Sequence, residues 1–176
     1  VHGIHPHYLD FPDLVKDESS GLLALPFGIC HIVQQPELRP PKDAVAPTPE
    51  EAPPGGMVAK ARAHNYVRPL RITNMQAMPH QLSATSNLAK QALIYLDEAC
   101  TQPATGSVAL GAHQTAILWV SLQPHLSADV ISGSVCRQLV GMIRVALKKA
   151  DGELIEEKPV RFAATFGRSK LRVGPS

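Results

Sequence analysis

Three histidines, His2, His5 and His7, open the chain at a spacing that could gather imidazoles around a divalent metal. Asp10 is the only carboxylate beside them, so the donor set is incomplete. The expected state is a solvent-exposed terminus with no resident metal. Three cysteines, Cys30, Cys100 and Cys136, lie far apart with no CxxC pair, which argues against structural zinc. They read as buried, reduced thiols of a cytosolic protein, with one disulfide left open. Ser132-Gly133 lacks the glycine frame of a nucleophile elbow. Pro54-Gly55-Gly56 is not followed by Lys-Ser/Thr and makes no phosphate cradle. His31, His64, His80, His113 and His125 are scattered, and a general base needs a positioned partner. No catalytic residue, cofactor site or metal site is expected, and the chain reads as a non-enzyme.

The groups that do gather are cationic. Arg161, Arg168, Lys170 and Arg172 fall near the end of the chain, and Arg144 and Lys148 lie in the run before them. Placed on one side of the closing strands, these six would form a partner-binding patch for an acidic protein surface or a lipid headgroup. The competing reading is a solvated face whose cations keep sheet edges from aggregating. A net charge of only +2 does not favour nucleic acid. No apolar run reaches the roughly 18 residues that span a bilayer. The start Val1-His2-Gly3 carries neither an initiator Met nor a signal-peptide pattern, so the chain reads as a segment of a longer polypeptide.

What must position these residues is a series of extended runs. In Val160–Phe166, Val160, Phe162, Ala164 and Phe166 alternate with Arg161, Ala163 and Thr165, the period of a strand buried on one face. Leu171 and Val173 resume the alternation after Gly167. Leu70 and Ile72, Leu82 and Ala84, Ala116 through Leu122, and Ile143 through Leu147 repeat it upstream. Asp151-Gly152 predicts a hairpin between strands over 139–148 and 154–166. Residues 88–99 have helix-favouring composition, but their alternation and place in the series predict a strand at 91–96. Tyr8–Phe11 and Phe27–Val33 read as earlier strands, and 16–21 as a polar turn. Between them and the later strands, residues 34–57 hold seven prolines and the pair Gly55-Gly56, which exclude helix and ladder alike. The expected organisation is 1–33 as the first strands, 34–64 as a proline-rich flexible insertion, and 65–176 as the main body. With 44% hydrophobic but only 5% aromatic residues, the core must be mostly aliphatic.

The order of these features resembles the major-sperm-protein/PapD-like immunoglobulin sandwich, especially its ASH type. Leu9-Asp10-Phe11 is similar to the opening strand of that family. Leu70-Arg71-Ile72-Thr73-Asn74, followed by Met75–Pro79, resembles its strand ending in Asn before a turn. Val108–Gly111 with Ile117–Pro124 resembles its glycine turn, strand and proline, and Gly141–Val145 and Val160–Ala164 its closing strands. The resemblance implies an all-β, immunoglobulin-like sandwich with a long proline-rich insertion. It also implies a non-catalytic interaction or scaffolding domain with protein partners, cytoplasmic, in a centrosome, basal body or cilium. An accessory domain of a membrane-trafficking adaptor is the alternative. The family's lysine motif for acidic peptides has no match here. Asn74 has its own physical reading: a strand-end Asn hydrogen-bonds the turn that follows it. A strand edge at 168–173 and a loop at 123–133 are the surfaces such a filled sandwich would offer.

Overall fold

A computed structural model describes residues 8–32, 56–58 and 66–167. The strands run β1 (Leu9–Asp10), β2 (Val15–Lys16), β3 (Leu23–His31), β4 (Gly56–Val58), β5 (Val67–Asn74) and β6 (His80–Ser86). They continue as β7 (Ala92–Tyr95), β8 (Val108–Leu110), β9 (Thr115–Leu122), β10 (His125–Ser127), β11 (Arg137–Lys148) and β12 (Leu154–Gly167), with one short helix, α1 (Ala128–Ser132). One sheet has the order β1-β5-β9-β7 and the other β2-β3-β12-β11-β6-β8. All pairings within these two sheets are antiparallel except β3 with β12.

Period-two burial makes the sandwich. Leu70 and Ile72 of β5 and Leu118, Val120 and Leu122 of β9 turn inward from one sheet. Leu82, Ile143, Val145, Leu147, Val160, Phe162 and Phe166 meet them from the other, forming one core. Each such side chain contributes roughly 1.5–3 kcal/mol of burial before entropy is counted. The few aromatics are concentrated here: Phe27 meets Phe162 edge-on at 6.5 Å, and Tyr66 meets Phe166 at 5.2 Å. The fold is a β-sandwich, as the alternation predicts, and of the immunoglobulin-like kind that the resemblance implies. The β11–β12 hairpin closes over Gly152, whose φ of 93° suits the turn. The ambiguous run at 88–99 holds strand β7.

Several local expectations change. Gly56 lies in a strand after all: β4 pairs antiparallel with β10, Gly56 opposite Ser127. A glycine at a strand end leaves the ladder intact, since its N–H and C=O remain available. The rest of the proline-rich stretch, the resumed alternation at 168–173 and His2, His5, His7 and His64 lie outside the described residues. The segment 123–133 is not a plain loop. It holds β10 and then α1, with Ser127 accepting from Val130 N at the start and Gly133 (φ 96°) closing the end. The strand read at 27–33 begins earlier, at Leu23, and ends at His31.

Asn74 is fully buried and its side chain serves the turn. Its Nδ2 donates to the carbonyls of Met78 (2.8 Å), Gly111 (3.0 Å) and Leu110 (3.3 Å), and its Oδ1 accepts from Gln76 N at 2.9 Å. A strand end is thereby bound to two turns at once.

Candidate functional site

Of the nine large hydrophobic side chains exposed among the described residues, Val15, Ile29 and Val140 stand on the outer face of the six-stranded sheet. Cross-strand partners share a face, so the register gives its rows. Val15, Ala24, Arg161 and Met142 make one row across β2, β3, β12 and β11. Pro26, Ala163 and Val140 make the next, and Ile29, Thr165 and Gln138 the one beyond. Pro159, Arg144 and Thr85 lie on the other side of the first row.

The position of Ile29 follows from a bulge. Leu25 and Phe27 are buried, and strict alternation would bury residue 29 next. Instead the β3–β12 register slips between Ala163 and Ala164, where Gly28 takes a φ of 66°. One extra residue inverts the pattern. Cys30 and Ile32 enter the core, and Ile29 is left 56% exposed on the outer face.

Small side chains at Ala24, Pro26 and Ala163 floor a hollow of about 430 Å³, flanked by Ile29, Val140, Arg161 and Asp17. Val140 is 47% exposed and Val15, in the row through Ala24, 74%. Asp17 is held by the tight turn that joins β2 to β3, with Gly21 N donating to Asp17 O at 2.7 Å. Its carboxylate accepts from Ser20 Oγ (2.7 Å), Ser19 Oγ (2.8 Å) and Ser20 N (3.1 Å). The Ser20 and Ser19 hydroxyls, with a smaller contribution from the Arg161 charge, hold its pKa below the usual carboxylate value. An anion held by its turn and a cation therefore border one depression.

Of the six cations singled out in the sequence, three lie on one face. Arg144, Lys148 and Arg161 all rise from this outer face, alternating with the buried Ile143, Val145, Leu147 and Val160. Arg144 faces Glu157 at 3.5 Å, an exposed pair of little energetic weight. Arg168, Lys170 and Arg172 lie outside the described residues.

A second hollow of about 420 Å³ lies along β6 and β7, lined by Ala84, Ala92, Leu93, Ile94, Tyr95 and Ala104 among others, none of its lining residues charged. The free edge of β7 beside it is already engaged: Ala104 N donates to Ile94 O at 2.9 Å and Leu96 N to Gln102 O at 2.8 Å.

The cysteines divide. Cys30 is buried as expected, Cys100 is half-buried and Cys136 is exposed, and none of the three is in a disulfide. Burial pushes the Cys30 and Cys100 thiols up, away from the thiolate that nucleophilic chemistry requires. Among the described residues, no cluster of three or more His, Cys, Asp or Glu is placed to hold a metal ion. No helix among them is long and apolar enough to cross a membrane.

Arg68 was not singled out by its sequence position, yet it links β5 of one sheet to β3 of the other. Its guanidinium lies 5.2 Å from the Phe27 ring centre, and its Nη2 and Nη1 donate to Phe27 O and Val67 O, each at 3.0 Å. The signal was present: Arg68 occupies the inward position of the series Arg68, Leu70, Ile72. The hollow gave no such signal, because its residues come from strands whose pairing no local pattern reveals.

No family model matches the chain, and no curated protein matches it. Solved structures with a similar fold include the Pseudomonas aeruginosa CupB2 chaperone, 13% identical, covering 62% of this chain and 52% of that one with a TM-score of 0.38. They also include WR4, a C. elegans MSP family member (13% identity, 64% of this chain and 88% of that one, TM-score 0.36). A third is the ASH / PapD-like domain of human CEP192 (13% identity, 58% and 70%, TM-score 0.33). The chain thus spans about half the length of the chaperone it matches. Likeness at this level carries no functional argument, and the fold rests on the sheets, register and core described above.

Proposed function

We propose that this chain is a non-catalytic protein–protein interaction domain that acts as a scaffolding part of a larger protein. The observation that supports it most is the outer face of the six-stranded sheet. Val15, Ile29 and Val140 stand exposed on and around one hollow, while the aliphatic side chains that alternate with them are packed into the core. Exposed apolar groups on one concave surface mark a place where another macromolecule docks. Arg161 at the hollow and Arg144 and Lys148 beyond it would orient that partner, with Arg168, Lys170 and Arg172 as further candidates for contact with an acidic surface. In keeping with the resemblance carried by the strand order, the proposed setting is cytoplasmic, in a centrosome, basal body or cilium. A vesicle or Golgi setting, as an adaptor's accessory domain, is the second reading.

Two measurements test this. Pull-down with Val140→Asp, and separately with Arg144, Lys148 and Arg161 reversed to Glu, should lower partner recovery, while circular dichroism stays that of the parent fold. Undiminished recovery with both variants removes the face from the proposal. Proximity labelling of the full-length parent in living cells decides the setting. Enrichment of centriolar or ciliary proteins supports the first, and of coat or Golgi proteins the second.

A further inference from the structure

The partner chemistry of the hollow is narrowed by the two charges among its lining residues, Asp17 and Arg161. From the hollow and its rim we infer that the occupant is a second copy of this chain, docked face to face through Ile29, Val140, Asp17 and Arg161. This deepens the interaction reading above and rests on it. A two-fold contact brings the same patch of both copies together, so the patch must complement itself. Here it does. The rim carries one anion and one cation, Asp17 and Arg161, on the same depression. Across a two-fold axis, Asp17 of each copy meets Arg161 of the other, and both charges are matched twice. A partner of a single charge sign would satisfy one rim group and leave the other facing a like charge.

The relief of the face is self-complementary as well. Ala24, Pro26 and Ala163 leave space, and Ile29, 56% exposed, and Val140, 47% exposed, supply apolar groups to fill it. The Gly28 bulge is what places Ile29 on this side. The contact spans only the β2, β3, β12 and β11 part of one sheet, so it belongs with the small, reversible interfaces, below about 1,200 Å² in total. Docking of a strand along β3 is disfavoured there, because Pro26 lacks the N–H that a ladder would use.

Sedimentation velocity of the full chain over a wide concentration series reads this out. The wild type should move from the mass of one chain toward twice that mass as concentration rises. Val140→Asp, Arg161→Glu and Asp17→Arg should each raise the dissociation constant at least tenfold. Because Asp17 also accepts hydrogen bonds within its turn, Asp17→Asn, which keeps an acceptor there, is measured beside it and should weaken the dimer in the same direction. The deciding sample is an equimolar mixture of Asp17→Arg and Arg161→Glu. Each variant alone faces like charges across the axis, whereas the mixed pair restores two attractive contacts and should dimerise again, seen as the heterodimer mass in native mass spectrometry. A wild type that stays monomeric at every concentration overturns the inference, as does a mixture that stays monomeric while each variant keeps its wild-type melting curve. If the wild type is monomeric but Val140→Asp still abolishes pull-down of a different protein, self-docking fails and the interaction reading stands. If Val140→Asp changes neither measurement, both fail.

Discussion

At the scale of single residues, buried polar side chains carry the sharpest expectations. Asn74 donates to three carbonyls and accepts one N–H in a position with no solvent access. Asn74→Ala would leave those groups unpaired, and the expected cost is roughly 2–3 kcal/mol in a urea titration. Asn74→Asp should be no better despite its near-identical shape, since an ionised carboxylate cannot donate to carbonyls. An Asp variant as stable as wild type at neutral pH would mean the donor role is wrong. Tyr66 gives a pH signature. Burial first, with Cys30 adding to it, pushes its phenol from 10.0 up to about 12. The folded state therefore holds a proton that the unfolded state releases. The associated stability is complete below pH 10 and is lost as pH rises from 10 toward 12, about 2–3 kcal/mol at 1.36 kcal/mol per unit. Tyr66→Phe keeps the ring against Phe166 and gives up only a long hydrogen bond to His31 O, 3.4 Å. Its denaturation midpoint should fall less steeply than that of the wild type above pH 10. Parallel curves would count against a neutral buried phenol.

At the scale of elements, two glycines are required for different reasons, and substitution separates them. Gly28 has open space where a methyl group would stand but a φ of 66°. Gly28→Ala should cost roughly 1–2 kcal/mol of backbone strain and nothing from crowding. Gly141 lies on β11 opposite Phe162, and a methyl there would run into the Phe162 ring and sit 2.9 Å from Asn87 Oδ1. Phe162 is fully buried and has nowhere to retreat, so Gly141→Ala should cost about 1–3 kcal/mol through overpacking. Trimming the ring in Phe162→Leu should recover part of that loss in the double variant but none of the Gly28→Ala cost. These elements also show what alternation can and cannot convey. β5, β9, β11 and β12 are each buried on one face, and their inward residues could be read directly, as could the Asp151-Gly152 hairpin. β3 was read only from Phe27 onward because Pro26 and Gly28 interrupt its period, and its parallel partner β12 lies more than a hundred residues away. α1 is only five residues long, too short for helical periodicity to show. The face carrying Arg144, Lys148 and Arg161 was legible as one side of a hairpin. The apolar hollow beside it was not, since it exists only once β2 and β3 are laid against β12.

At the scale of the whole molecule, an open sandwich has both edges and faces to offer, and among the described residues three uncovered strand flanks of this one carry a proline. β5 pairs with β1 only at Thr73 and Asn74, so its earlier residues have an open flank among the described residues. Asn74 N donates to Gln114 O on the β9 side, and Met75 N to Tyr8 O on the β1 side. Odd-numbered residues of β5 therefore point their N–H groups toward the open flank, and position 69 is a proline. Pro26 likewise stands where β2 no longer covers β3, and Pro159 stands just before β3 joins β12. Each of these three prolines lies on a strand with an uncovered side, where the missing N–H denies a template to an incoming strand. A molecule that closes its edges this way while leaving Val15, Ile29 and Val140 exposed is built to meet partners through a face. The expectation is specific. Pro69→Thr restores one N–H to the open flank of β5 without touching the core, so its unfolding free energy should stay within about 1 kcal/mol of wild type. Its propensity to associate by strand pairing should nevertheless rise, read as faster growth of light scattering and thioflavin fluorescence on quiet incubation. Val140→Asp, which alters the face, should leave that growth unchanged. Equal aggregation rates for Pro69→Thr and wild type would show that the proline is not what keeps the edge closed.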